Sequence, residues 1–221
     1  MIKNIIFDFN GTIIFDNSIQ KQAWLEVLAD IAKKKVTENE FALHVAGRTN
    51  RDTFEYFLQT HLTEKRLRVL SNKKEMIYQQ MCLEDPVHFK LVTGLPEFLD
   101  WCISNDININ IATASELDNL KFFFTHLNLS KWFNIKEVAY SDGSLPGKPA
   151  PDIFLSGMRK IKAKPSESLI IEDSPSGILA ARNASALKVV QISDNHTRSQ
   201  DFGADLKINN YLNLSNVIEQ N

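Results

Sequence analysis

Short apolar runs, too brief for helices, recur along this chain with helical patterns between them, and that alternation restricts the fold more than any other feature. Ile5-Ile6-Phe7 is the first run, and Asn10-Gly11 ends it with a turn signal. Ile107, Ile109 and Ile111 alternate with Asn108 and Asn110 up to Ala112, while Leu169-Ile170-Ile171 is continuously apolar. Further strands are expected over 135–140 and 187–192, with an edge strand over 204–208. Helical spacing marks 117–127, where Leu120, Phe123, Phe124 and Leu127 form the inward stripe, and also 152–161, the Ala-rich 176–186 and 211–219. Strands joined by helices of this length make crossover connections and a parallel sheet. Asn108 and Asn110 interrupt the apolar character of a doubly covered strand, which predicts a partly wet face there.

Between residues 18 and 82 the pattern changes. Ala23, Trp24, Val27, Leu28 and Ile31 recur at helical spacing, and further helices are expected over 38–45, 51–61 and 64–81, with Gly47 as an interruption. Asp85-Pro86 closes this stretch, and 92–96 forms a second break before a helix over 97–105. The expected organisation is α/β: a doubly wound parallel sheet built from 1–15 and 87–221, with an α-helical insert over 16–86. A chain of 221 residues with 43% hydrophobic content can bury the core that this requires.

Composition excludes several classes of function. The 25 basic and 27 acidic side chains leave a formal charge of -2, and the longest basic block is Lys33-Lys34-Lys35, so neither nucleic acid nor a membrane is an expected partner. Cys82 and Cys102 have neither metal-knuckle spacing nor the density of a disulfide framework, and both are expected to be reduced. The first strand begins within a few residues of Met1, which leaves no room for a signal peptide, and no apolar run approaches the roughly 20 residues of a membrane span. A soluble cytoplasmic protein is expected, as a monomer.

Four polar groups follow predicted strands or lie in connecting loops: Asp8 with Asn10, Thr113 with Ser115, Lys148, and Glu172 with Asp173. In a doubly wound sheet the carboxyl ends of neighbouring strands converge on one crevice, so these groups can meet there. Together they suit phosphoryl chemistry. Asp8 offers a nucleophilic carboxylate, the Thr113 hydroxyl and nearby amides can bind phosphate oxygens, and Lys148 can neutralise charge. Asp8 and Asp173 can hold Mg²⁺, a hard cation that takes a few carboxylates together with substrate phosphate. Adjacent carboxylates such as Glu172 and Asp173 repel unless a cation sits between them. Each group also has an ordinary reading: Thr113 or Ser115 as N-cap of a helix starting at Glu116, Lys148 as a solvated loop lysine, and Asp173 or Ser174 as cap of the helix after Pro175.

Residues 6–12 (Ile-Phe-Asp-Phe-Asn-Gly-Thr), 112–115 (Ala-Thr-Ala-Ser), 147–154 (Gly-Lys-Pro-Ala-Pro-Asp-Ile-Phe) and 171–178 (Ile-Glu-Asp-Ser-Pro-Ser-Gly-Ile) resemble, in order and spacing, the four motifs of the haloacid dehalogenase (HAD) superfamily. The insert resembles the small helical cap of the subgroup that contains β-phosphoglucomutase, phosphoglycolate phosphatase and phosphonoacetaldehyde hydrolase. The resemblance implies a Rossmann-like core with a cap, Mg²⁺ as cofactor, and a phosphatase reaction on a small phosphorylated metabolite through an aspartyl phosphate on Asp8. It also implies Asp8, Asp173 and the Asn10 carbonyl as metal ligands, with Glu172 as a ligand or a support behind the ligands. Thr113, Ala114, Ser115 and Lys148 would contact the phosphoryl group. Arg48, in the 47–49 loop of the insert, would contact the rest of the substrate.

One position departs from the family pattern. Asn10 stands where the family carries an Asp that acts as general acid and base, and a carboxamide cannot shuttle a proton near neutral pH. Loss of such a group costs about 10² to 10⁴ in rate. Three explanations fit: an enzyme for substrates with good leaving groups, a non-catalytic binder of phosphorylated ligands, or an engineered acid-base variant of a phosphatase. Gln20 replaces the histidine that a mutase would call for, and the 47–49 loop offers no lysine for Schiff-base chemistry, which disfavours both of those relatives' reactions.

Overall fold

The computed structural model describes residues 1–45, 48–194 and 201–219. The chain separates into two compact units, one made of Met1–Phe15 with Lys90–Asn221 and the other of Asp16–Phe89.

The first unit is built on a five-stranded parallel sheet of β1 (Asn4–Phe7), β2 (Asn108–Ile111), β3 (Ser168–Glu172), β4 (Lys188–Ile192) and β5 (Leu206–Ile208), in the order β2-β1-β3-β4-β5. The unit is thus the expected doubly wound α/β sheet. Side-chain alternation along β1 feeds two cores. Ile6, with Ile170 and Val189, packs beneath α7 (Asp152–Lys160) and α8 (Pro175–Asn183), which contribute Ile153, Phe154, Met158, Ile178 and Ala181. Phe7 is followed on the other face by Phe98 of α5 (Leu95–Ser104), Phe133 and Tyr211, whose ring centroids lie 6.3, 6.0 and 6.2 Å from its own. Phe9 stacks at 4.2 Å on Phe123 of α6 (Leu117–His126). The chain moves from β1 to β2 on one side and to β3, β4 and β5 on the other, so the order reverses at β1. That reversal places the ligand crevice of such a sheet beyond the carboxyl ends of β1 and its neighbours.

The second unit is helical, with α1 (Asn17–Ala32), α2 (Glu38–His44), α3 (Asn50–Leu58) and α4 (Glu64–Glu84) around Trp24, Val27, Leu28, Phe54, Phe57 and Leu70. Threonine starts three of these helices: Thr37, Thr49 and Thr63 each accept a backbone N–H from the first turn, and Thr37 forms a capping box with Glu40. A buried polar cluster crosses the unit, in which the Tyr78 hydroxyl donates to Asp16 Oδ2 at 2.7 Å and Lys74 Nζ donates to Gln20 Oε1 at 2.6 Å. Lys74 carries no signal in the sequence pattern, yet its side chain is only 5% exposed.

Three local expectations are corrected. The helix placed at 97–105 begins at Leu95, because Pro96 falls in its first turn, where a missing N–H costs nothing. The strand placed over 135–140 reduces to one bridge, Ala112 with Ala139, since Glu137 N turns back onto Asn134 O before any ladder forms. The partly wet face expected at Asn108 and Asn110 is met at Asn108 alone: Asn110 is buried, donates to the Glu137 and Gly157 carbonyls at 2.7 and 2.9 Å, and accepts from Ile111 N at 2.9 Å. Asn108 is the exposed one, donating to Asn4 Oδ1 at 3.1 Å. Cys82 and Cys102 are free and buried, and burial pushes both thiols up to about 12. No described helix is long and apolar enough to cross a membrane.

Asn110 fastens the edge strand to two other segments, so Asn110→Ala strands the buried Gly157 carbonyl and releases the part-buried one of Glu137. The expected loss is about 3 kcal/mol in urea unfolding, and a loss under about 1 kcal/mol would show that water repairs the gap.

Candidate active site

Hydrogen-bond register brings the polar groups to one level of the sheet. Phe7 pairs with Ile111 on one side and Ile171 on the other, and the ladder continues through Ala112 N to Phe7 O and Asp8 N to Ile171 O at 2.8 and 3.0 Å. Asp8 therefore stands beside Ala112 and Glu172, one residue past the end of β1. Asp8, Glu172 and Asp173 each offer a carboxylate oxygen, and these atoms lie within 4.8 Å of one another. Asp8 is 6% exposed and Glu172 1% exposed, so their mutual repulsion is poorly screened.

Lys148 answers that repulsion. Its Nζ donates to Asp8 Oδ1 at 2.6 Å and to Glu172 Oε1 at 2.5 Å, and it lies 4.7 Å from the centre of the Phe154 ring. Burial works against the ammonium, but the two carboxylates outweigh it and hold its pKa above the ordinary lysine value. Lys148 is thus no solvated loop lysine.

The other oxygen of Glu172 is also engaged, accepting from Ser174 N at 2.6 Å and Ser174 Oγ at 3.0 Å. Ser174, rather than Asp173, caps α8 by accepting from Gly177 N at 3.1 Å. This compactness depends on two glycines. A Cβ on Gly177 would fall 1.7 Å from Glu172 Oε1, and one on Gly11 would fall 2.1 Å from Asp173 Oδ2. Gly11 also has φ +76, a conformation that side chains resist.

Thr113 and Ser115 do not cap α6, whose N-cap is Glu116, with no side-chain capping bond. Instead Thr113 Oγ1 accepts from Ser115 N at 3.0 Å, which leaves its own proton to give, and Ser115 Oγ donates to Asn10 Oδ1 at 2.7 Å. Ala114 is exposed between them. Arg48 belongs to the helical unit, is exposed, and donates through Nε to the Leu43 carbonyl at 3.2 Å. Gly47 of that loop lies outside the described residues. Sequence reasoning missed Phe154 beneath the lysine, and Tyr211, whose hydroxyl donates to the Thr12 carbonyl at 3.1 Å. Burial, with Asp8 and Asp173 adding to it, pushes that phenol well above its usual pKa. Phe154 lay within a motif already singled out, six residues after Lys148; Tyr211 carried no local signal.

A family model described as haloacid dehalogenase-like hydrolase matches residues 5–191. The chain belongs to this family. A haloacid dehalogenase hydrolase of family IA, variant 3, from Entamoeba histolytica HM-1:IMSS superposes on it with a TM-score of 0.86 at 30% identity, over 95% of this chain and 94% of that one. Protein CbbY of Rhodobacter capsulatus is 26% identical over 208 residues, covering 92% of this chain and 90% of its own length. The phosphorylated carbohydrates phosphatase of Thermotoga maritima is 26% identical over 187 residues, 81% of this chain and 80% of its own. In this hydrolase the four motifs quoted from the sequence all fall within the matched residues.

Lys148 holds two buried carboxylates together, and its raised pKa means that its stabilisation is complete below the unfolded value of about 10.4 and is lost as pH rises through the folded value. In metal-free protein, Lys148→Met should therefore cost about 3 kcal/mol near neutral pH. The gap to wild type should stay level up to about pH 9 and narrow above about 10.4. Urea midpoints across this range check it; a gap that widens with alkali would contradict the assignment.

Proposed function

We propose that this chain is a Mg²⁺-dependent phosphatase that transfers a phosphoryl group from a small phosphorylated metabolite to Asp8 and then to water, with phosphorylated sugars as the favoured substrate class. The observation that carries the reading is Lys148 bridging Asp8 and Glu172 beside Asp173 at the carboxyl ends of β1 and β3. Kinship with a phosphatase of phosphorylated carbohydrates supports the substrate class.

The donor set fits the cation. Asp8, Asp173 and the Asn10 carbonyl are hard oxygen donors, and they would hold Mg²⁺. Both oxygens of Glu172 already accept protein donors, which suits it to fixing Lys148 and Ser174 from behind. When bound, Mg²⁺ supplies charge neutralisation at the phosphoryl oxygens.

Asp8, oriented through Oδ1 by Lys148, attacks phosphorus in line. An O–P bond forms to Asp8 as the ester O–P bond breaks, and the leaving oxygen departs with the electron pair. Lys148 and the Thr113 hydroxyl, with amides around Ala114 and Ser115, stabilise the charge on the transferred group. The leaving oxygen then needs a proton, and the water that later cleaves the aspartyl phosphate must lose one. Asn10 can do neither, since its side chain offers only an amide, held at Oδ1 by Ser115 Oγ. Activated esters therefore react more readily than alkyl phosphates, and the phosphoenzyme outlives its formation. The helical unit is assigned substrate selection, with the exposed Arg48 gripping a second anionic group.

The test compares wild type with Asn10→Asp, a near-isosteric change that Ser115 Oγ can still meet. Turnover of alkyl phosphates with Mg²⁺ should rise by about 10² to 10⁴, with a smaller gain for aryl phosphates. Intact mass should show a phosphate adduct in wild type, after a first check that Asn10 has not deamidated. Unchanged alkyl turnover together with no adduct would overturn the reading.

A further inference from the structure

We propose that the outer face of α4 pairs two copies of this chain, antiparallel about Met76, in place of the monomer expected from the sequence. An apolar row on that helix is left uncovered by the core of the helical unit, and the charges beside the row match a reversed copy of themselves.

α4 turns one face inward, where Leu70, Lys74, Tyr78 and Cys82 are buried. Val69, Met76 and Leu83 of the same helix are 52, 71 and 49% exposed. Apolar side chains exposed singly are ordinary on a protein surface, but these three are in line. They recur every seventh residue, and at about 100° per residue the row drifts by only about 20° per step. All three therefore fall within about 40° of one another, opposite the buried face. The row is about 21 Å long. Apolar residues at this seven-residue spacing form the seam through which helices pair side by side.

The charges on α4 are divided between its ends. Lys65, Arg66 and Arg68 near its start are exposed and make no ion pair among the described residues. Glu84 at its other end is exposed, accepts from Gln80 Nε2 at 2.6 Å, and has no cationic partner among the described residues. Arg66 and Glu84 are five helical turns apart and so project on the same flank of the row. A twofold axis beside Met76 sets that residue against itself, Val69 opposite Leu83 of the other copy, and Arg66 within a turn of the other copy's Glu84, at both ends. Parallel pairing would instead set Lys65, Arg66 and Arg68 beside the same three cations. Charge thus selects a second copy, reversed, as the occupant of this face. The contact is one helix wide, so the dimer belongs to the weak, concentration-dependent class.

Sedimentation velocity of the full chain from about 5 to 500 µM, the range in which weak contacts form, should show a monomer–dimer equilibrium. Met76→Arg places two like charges on each other at the axis and should weaken dimerisation at least about 10-fold. Arg66→Glu opposes a carboxylate to Glu84 at both ends and should weaken it by about 3- to 10-fold. Adding Glu84→Arg to that variant should return the affinity to within about twofold of wild type, because the exchanged charges pair again. Circular dichroism establishes that each variant is folded before its association is compared. A wild type that stays monomeric throughout would overturn the proposal and leave the row to a different protein. A dimer that Met76→Arg leaves intact, or that the charge exchange fails to restore, would overturn it as well, because another surface or another orientation would then hold the copies.

Discussion

Three carboxylates at the ends of neighbouring strands cannot share a buried corner without a cation, and Lys148 supplies one. Its contacts with Asp8 and Glu172 are short, its side chain is 10% exposed, and the Phe154 ring lies against it. Much of the surrounding structure serves this arrangement. The register of β1 against β3 sets Asp8 level with Glu172, and Gly177 leaves room for the Glu172 carboxylate at the first turn of α8. Ser174 caps that helix and binds the same carboxylate, so one residue ends the loop and fixes the acid. The outcome is an Asp8 carboxylate held in one orientation before any substrate arrives, and for the nucleophile proposed above such preorganisation is the source of most catalytic advantage in charge-stabilised transfer.

Asn10 makes this site chemically uneven. In the reaction proposed above, Asp8, Lys148 and Thr113 would receive the phosphoryl group, while the residue at the position for moving protons is an amide. The first half of the reaction depends chiefly on charge and alignment, because a loose transition state asks little of a general acid when the leaving group is a weak base. The second half asks water to give up a proton. On the proposed mechanism, such a protein would take up a phosphoryl group better than it releases it.

Much of the sheet was legible because buried strands announce themselves through composition. Ile5-Ile6-Phe7 and Leu169-Ile170-Ile171 are too apolar and too short to be anything else, and the helices over 117–127 and 152–161 carry a regular stripe. Asn110 misled, since a polar residue in a strand signals water unless partners from elsewhere satisfy it, and the Glu137 and Gly157 carbonyls are distant in sequence. The run at 135–140 has strand composition but turns away after one bridge, which only the neighbouring segments decide. At the site, residue types in a fixed order suggested which groups belong to the chemistry. Their supports were not readable: the bond from Tyr211 to Thr12, the dependence of Glu172 on Gly177, and the link from Ser115 to Asn10 are all long-range facts of packing.

The central claim is that Asp8, oriented by Lys148, is the atom that takes the phosphoryl group beside a cation held by Asp8, Asp173 and the Asn10 carbonyl. A crystal structure of the protein grown with Mg²⁺ and beryllium trifluoride, a mimic of a transferred phosphoryl group, tests it directly. The account predicts beryllium bonded to a carboxylate oxygen of Asp8, Lys148 Nζ against a fluorine, and the metal on those three ligands. Beryllium on another residue, or a metal held by Glu172 in place of Asp8, would contradict it.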